Sequence, residues 1–167
     1  MTGWEDAKER IEAAFADNFS RGEEVGAAVA VWRDGEEVAS FCGGFRDAAK
    51  KTPWTHDTLV LIWSATKGLS SACVLHALAA ARRDLDTLVS EIWPEFTGDG
   101  KERLTVGEVL SHQSGLSAVS DRSASFLDHE AVIRAIENQA PFWESGDGHG
   151  YGPRTYGFLA DELVRRL

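Results

Sequence analysis

Apolar side chains recur at helical spacing near the start of the chain. There Trp4, Ala7, Ile11, Ala14, Phe15 and Phe19 fall, with Asn18, mostly on one face and predict an amphipathic helix over 3–20. The pattern then changes. Val25 to Trp32 is rich in small and β-branched residues, Arg33-Asp34-Gly35-Glu36 reads as a turn, and a second run extends to Phe45, so residues 25–45 predict a β-hairpin with Gly43-Gly44 closing its second strand. Asp47 to Asp57, with Pro53, reads as loop.

From Thr58 onward the periodicity is helical again. A long helix is expected from near Ser64 to about Arg83, with Ala72, Leu75, Leu78 and Ala79 on its inner face and Asp84 to Asp86 ending it. Asp86 to Glu91 predicts a short helix stopped ahead of Pro94, because the residue before a proline avoids helical angles. Glu95 to Arg103 reads as loop, and Thr105-x-x-Glu108 is a capping box opening a helix that ends near Ser111. Gly115 breaks the chain, Ser117 to Phe126 is turn-like, and Asp128 caps a helix to about Asn138 that buries Val132, Ile133 and Ile136. Trp143 to Tyr156 carries so many glycines that it must bend sharply and approach something closely. Residues 157–167 predict a last helix with Phe158, Leu159, Leu163 and Val164 inward. Only two strands are legible, and an isolated hairpin is marginal in water, so further strands are expected from elsewhere.

Composition narrows the function. The 167 residues are 43% apolar and 26% charged, which describes a folded globular domain. A net charge of −10 argues against nucleic acid as a partner. No apolar run reaches the length of a membrane span, and acidic residues stand in the first ten positions where a signal peptide has a basic start, so the expected location is cytoplasmic. Cys42 and Cys73 are isolated, lack ligand spacing and read as buried small residues; no metal or cofactor is expected.

The chemistry is expected at Ser64-Ala65-Thr66-Lys67. The i, i+3 spacing on a helix start places a hydroxyl and an amine on one face. A lysine serves as base for a serine nucleophile only if its pKa is lowered, and Leu59, Leu61, Ile62, Trp63, Leu69 and Val74 are the candidates for burying it. The helix N-terminus favours negative charge developing at the serine. Alone, the pattern decides nothing, since a serine at a helix start followed by a solvated lysine fits it equally.

Three segments in order carry a resemblance. Ile62-Trp63-Ser64-Ala65-Thr66-Lys67-Gly68, then Leu104 to Leu116 preceded by Ile92-Trp93-Pro94-Glu95-Phe96, then Gly148-His149-Gly150-Tyr151 with Tyr156 to Arg166, resemble the penicillin-binding-protein and class C β-lactamase-like serine hydrolases, especially the family VIII carboxylesterases. The resemblance implies an α/β fold of the α+β type, β-lactamase/transpeptidase-like, with an antiparallel sheet flanked by helices plus a helical region. Residues 1–167 would be a single incomplete domain of it, with residues 58–167 the mostly helical part.

It also implies roles. Ser64 would be the nucleophile, Lys67 would accept or share its proton, and Tyr151 would be the second base and relay a proton to the leaving group. The substrate would be a small-molecule ester or amide. Where β-lactamases of this type continue Tyr-x-Asn, this chain has Tyr151-Gly152-Pro153, which makes esters the favoured substrates. Relatives are usually more than twice as long. The remainder would carry the last strands, the Lys/His-x-Gly motif and one oxyanion-hole amide, the other being the Ser64 N–H. A complementary C-terminal polypeptide completing the sheet is therefore one expected partner. A transacylase or β-lactamase on the same scaffold, and a non-catalytic fragment or pseudoenzyme, are the alternative readings. His112 and its segment read as structural, His149 has no assigned role, and His56, His76 and His129 read as ordinary surface or core histidines. A lipase-type fold is disfavoured because no Gly-x-Ser-x-Gly elbow occurs.

Overall fold

The computed structural model describes residues 2–167, which fall into two compact units, one up to Leu61 and one from Ile62 onward. In the first, helix α1 (Thr2–Ser20) turns Trp4, Ala7, Ile11, Phe15, Asn18 and Phe19 partly inward, as the spacing requires, while Ala14 is exposed. Strands β1 (Gly26–Arg33) and β2 (Glu36–Gly44) pair antiparallel, from Gly26 opposite Gly44 to Arg33 opposite Glu36. Asp34 and Gly35 both have positive φ, 51° and 85°, the backbone of the two-residue turn that suits a right-twisted hairpin. The register slips at Val31/Trp32, where a bulge takes up one residue.

Gly43 and Gly44 do more than close the strand. The Phe15 and Phe19 rings, 5.1 Å apart, lie over them. A Cβ on Gly44 would come within 2.6 Å of the Phe19 ring and 2.3 Å of the Val25 carbonyl, at a φ of +80°. Close approach of aromatic rings to bare backbone is thus what docks α1 on β2. The further strands anticipated from the sequence do not occur among the described residues, whose sheet has two strands.

The second unit is helical and holds the main core. A 3₁₀ turn (Trp63–Ala65) leads into α2 (Thr66–Ala80), followed by α3 (Val89–Ile92), α4 (Val106–Leu110), α5 (His129–Asn138) and α6 (Thr155–Arg166). The buried face of α2 is Val74 and Leu78; Ala72, Leu75 and Ala79, expected inside, are exposed. The helix is apolar nearly all round, so periodicity could not choose the face, and packing against α6 chose it. Likewise Val164 of α6 is exposed and Tyr156 is buried in its place.

The short helix expected from Asp86 begins only at Val89. Asp84 is the cause: its carboxylate accepts the Asp86 N–H at 3.1 Å and the Thr87 hydroxyl at 3.4 Å, a local turn that competes with helix. Trp93 and Phe96 flank Pro94, fully buried with ring centroids 5.0 Å apart, and burying a ring such as Phe96 contributes about 3 kcal/mol. The Trp93 indole donates to Glu137 at 2.7 Å, so its polar edge is satisfied.

Lys101 lies at the centre of this unit, wholly buried, in a stretch that reads as loop in the sequence. Its ammonium donates to the carbonyls of Ile136, Glu137 and Gln139 at 3.2, 2.5 and 2.7 Å, closing the C-terminal end of α5. Burial lowers its pKa, while Asp99, Glu137 and Glu102 pull the other way. The capping box forms as predicted: Glu108 N–H donates to Thr105 Oγ1 at 3.2 Å and Thr105 N–H donates to the Glu108 carboxylate at 2.8 Å. Asp128 caps α5 through the Ala131 N–H at 3.0 Å. Cys42 is half-buried and Cys73, expected inside, is exposed on α2; both are free thiols.

Candidate active site

Ser64 stands in the 3₁₀ turn that opens α2, and Lys67 follows one turn later. Lys67 Nζ donates to Ser64 Oγ at 3.1 Å, so the i, i+3 spacing brings hydroxyl and amine together as expected. Trp63, immediately before the serine, has a φ of 47°, a conformation that a bulky residue adopts only at a cost of roughly 1–3 kcal/mol. This strained step lies directly ahead of Ser64. Nothing in the local sequence announces it.

Tyr151 arrives from the glycine loop 87 positions beyond Ser64. Its ring centroid lies 4.9 Å from Lys67 Nζ. Hydrogen bonding with Ser64 first, then with Lys67, holds its phenol below the ordinary tyrosine value; burial opposes this, and the charge of Lys67 adds a lesser lowering. A second bond ties the loop to the lysine: Lys67 Nζ also donates to the Pro153 carbonyl at 3.2 Å. The three sequence-predicted residues therefore meet at one place.

The surroundings differ from expectation. Of the apolar residues expected to bury Lys67, only Val74 is inside; Leu59, Leu61, Ile62, Trp63 and Leu69 are exposed, Leu59 almost completely at 98%. Tyr151 is itself about half exposed.

The loop geometry rests on residues whose part the sequence did not reveal. Gly148 and Gly150 pack on the Trp143 indole, and a Cβ at Gly150 would sit 2.2 Å from that ring. Tyr156 on α6 reaches α2: its hydroxyl bonds Ser71 Oγ at 2.5 Å, and Ser71 in turn donates to the Lys67 carbonyl at 2.9 Å. Thr155 Oγ1 donates to the Leu116 carbonyl at 2.8 Å, fastening the start of α6 to the segment after Gly115. His112 adjoins the site as well, with its ring 4.9 Å from that of Tyr151 and 5.0 Å from that of Tyr156. His149 is exposed, 6.0 Å from His112.

Elsewhere, His129, Asp161 and Glu162 place their ligand atoms within 4.8 Å of one another. Asp161 already accepts from Arg165 at 2.7 Å and from His129 at 2.8 Å, and Glu162 accepts from Arg166 at 2.8 Å. Arginines satisfy both carboxylates, so the cluster reads as an ion-pair network rather than a metal centre. His56 and His76 are exposed. Among the described residues no helix is long and apolar enough to cross a membrane.

A serine on a helix start, a lysine one turn on and a tyrosine from a distant loop, all carried on the helical unit, match the pattern of the serine β-lactamases and penicillin-binding proteins. The chain belongs to the Beta-lactamase family, which its residues 10–167 match. It is 36% identical over 159 residues to the esterase/beta-lactamase LipL of Mycobacterium tuberculosis, covering 94% of this chain and 37% of that protein. A crystal structure of a penicillin-binding protein homolog from Caulobacter crescentus superposes with a TM-score of 0.88 at 37% identity, over 93% of this chain and 43% of that one. A family VIII carboxylesterase structure matches with a TM-score of 0.86 and 37% identity, over 95% of this chain and 44% of the other. The fold is accordingly β-lactamase/transpeptidase-like, and the chain spans well under half the length of each of these relatives.

Proposed function

We propose that this chain carries the acylating residues of a serine hydrolase for carboxylic esters, working through an acyl-Ser64 intermediate. The observation that supports it most is the 3.1 Å contact of Lys67 with Ser64 beside a phenol of lowered pKa. In the reaction, Ser64 Oγ attacks the ester carbonyl carbon as its proton passes to the Tyr151 phenolate, with Lys67 stabilising that phenolate and sharing the proton. The tetrahedral oxyanion collapses, the C–O bond to the alkoxide breaks, and Tyr151 returns the proton to the departing alcohol. Water then repeats the sequence on the acyl-serine, releasing the acid and restoring Ser64.

Ester rather than lactam substrates fit Tyr151-Gly152-Pro153, where no amide side chain stands two positions after the tyrosine. Pro153 instead offers its carbonyl to Lys67. The Ser64 N–H is one oxyanion donor, and a C-terminal part like that by which the relatives exceed this sequence, in the same chain or as a complementary polypeptide, would supply the second together with the remaining strands. Full turnover of ester would then require that part, while acylation by a highly activated reagent would not.

The test is intact-mass analysis after exposure to a fluorophosphonate. The chain is expected to gain one adduct, mapped to Ser64 and lost in Ser64→Ala. An unlabelled Ser64 at neutral pH would leave a binding-only protein as the reading.

A further inference from the structure

The His112 segment reads as structural in the sequence, but the geometry gives this residue a more specific task. His112 lies just past α4 with a φ of 63°, so its backbone turns sharply and presents both its carbonyl and its ring to the tyrosine loop. The Gly150 N–H donates to the His112 carbonyl at 3.0 Å, and the Gly152 N–H donates to His112 Nδ1 at 3.2 Å. These amides are the immediate neighbours of Tyr151 on either side. One residue therefore grips the backbone before and after the phenol, while the Lys67 bond to Pro153 fixes the next position.

We propose that His112 is the positioning residue of the tyrosine loop, a clamp that holds Tyr151 against Ser64 and Lys67 while its imidazole is neutral and lets go when the imidazole is protonated. The functional part of this proposal rests on the hydrolase reading above; the clamp itself does not. The chemistry follows from the acceptor. Nδ1 can take the Gly152 N–H only if it carries no proton, which puts the single ring hydrogen on Nε2. A second proton would turn Nδ1 into a donor facing a donor, and the loop would have to move.

The titratable groups facing the ring are Lys67 from α2, Tyr156 from α6, and His149 and Tyr151 from the loop. Burial, then the neighbouring His149 and Lys67 charges, push the His112 pKa down from the ordinary histidine value. The clamp is thereby kept closed at neutral pH and opens in acid. The role of His112 is one of positioning: it acts through Tyr151.

The experiment follows the chain itself by heteronuclear NMR between pH 8 and pH 4. The Gly152 amide and the His112 ring are expected to titrate with one shared midpoint below about 6.5. His149→Gln should leave that transition in place. Asparagine tolerates positive φ and offers an oxygen near the place of Nδ1, so His112→Asn should keep the Gly150 and Gly152 amides protected from exchange and abolish the transition. His112→Ala removes only the ring acceptor, so the Gly152 amide should exchange fast at every pH while the Gly150 amide, held by the backbone carbonyl of residue 112, exchanges more slowly.

Fluorophosphonate labelling of Ser64 is the functional readout. Below the shared midpoint, wild-type labelling should fall about tenfold more per pH unit than labelling of His112→Asn, because one additional proton is involved. A Gly152 amide that stays unmoved while His112 titrates overturns the clamp, as does an acid transition that survives in His112→Asn. If the amide and ring titrate together but no variant is labelled, the clamp stands and the hydrolase reading falls.

Discussion

At the scale of single residues, the candidate chemistry depends on the charge of Lys67 lying close to a phenol. Tyr151→Phe keeps the ring and removes the acid-base group, so it should slow fluorophosphonate labelling of Ser64 on the order of 10²-fold, with the fold unchanged by circular dichroism. Because the Tyr151 pKa is depressed, wild-type labelling should rise with pH and level off before the ordinary tyrosine value of about 10. His112 shows the same logic in stability. Its folded pKa lies below its unfolded one, so as pH falls the unfolded chain takes the proton first. That contribution is complete above about pH 6.5 and is lost as the pH drops through the folded pKa, which urea unfolding at pH 7.5 and pH 5 would register as a lower midpoint in acid.

At the scale of elements, helix ends and close backbone approaches decide where side chains point. Lys101 closes α5 with three carbonyl acceptors, and Lys101→Met would bury those carbonyls without their donor. The expected loss is about 3 kcal/mol by denaturant unfolding, against roughly 1 kcal/mol for Thr105→Ala at the capping box of α4. Gly150→Ala would drive a methyl into the Trp143 ring and force the loop away from Ser64. Its labelling should fall more than tenfold, a displacement of the phenol by about 1 Å being enough.

The capping box, the Asp34-Gly35 turn and the i, i+3 spacing of Ser64 and Lys67 are legible because each is a contact between near neighbours in the chain. The inner face of α2 is not. A helix apolar nearly all round gives periodicity nothing to choose between, and Val74 was selected over Leu75 by what α2 packs against. The late start of α3 has a local reason: the Asp84 carboxylate competes for the backbone donors a helix would use.

At the scale of the whole molecule, the row Leu59, Val60, Leu61, Ile62 and Trp63 is exposed, a run of apolar surface larger than single scattered residues explain. Replacing Leu59 and Leu61 with serine should lower the tendency to associate, measured by light scattering, without lowering the unfolding midpoint. If strands from a complementary polypeptide complete the sheet, adding that polypeptide should raise p-nitrophenyl ester turnover over that of the chain alone. Robust turnover without it would remove the need for a partner. Trp93 is the corresponding test of the core: Trp93→Ala should cost about 3–5 kcal/mol, because a fully buried indole leaves a cavity and frees Glu137.

Residue identity and spacing alone determined the helices, the hairpin turn, the helix caps and the serine-lysine pair, since each depends on interactions within a few positions of the chain. Only the tertiary structure decided that Tyr151 reaches Ser64 and Lys67, that His112 grips the loop on both sides of the phenol, and that Lys101 lies buried under α5. Those are contacts between residues more than thirty positions apart. Local pattern carries no record of them, and they exist because the packed core brings their segments together.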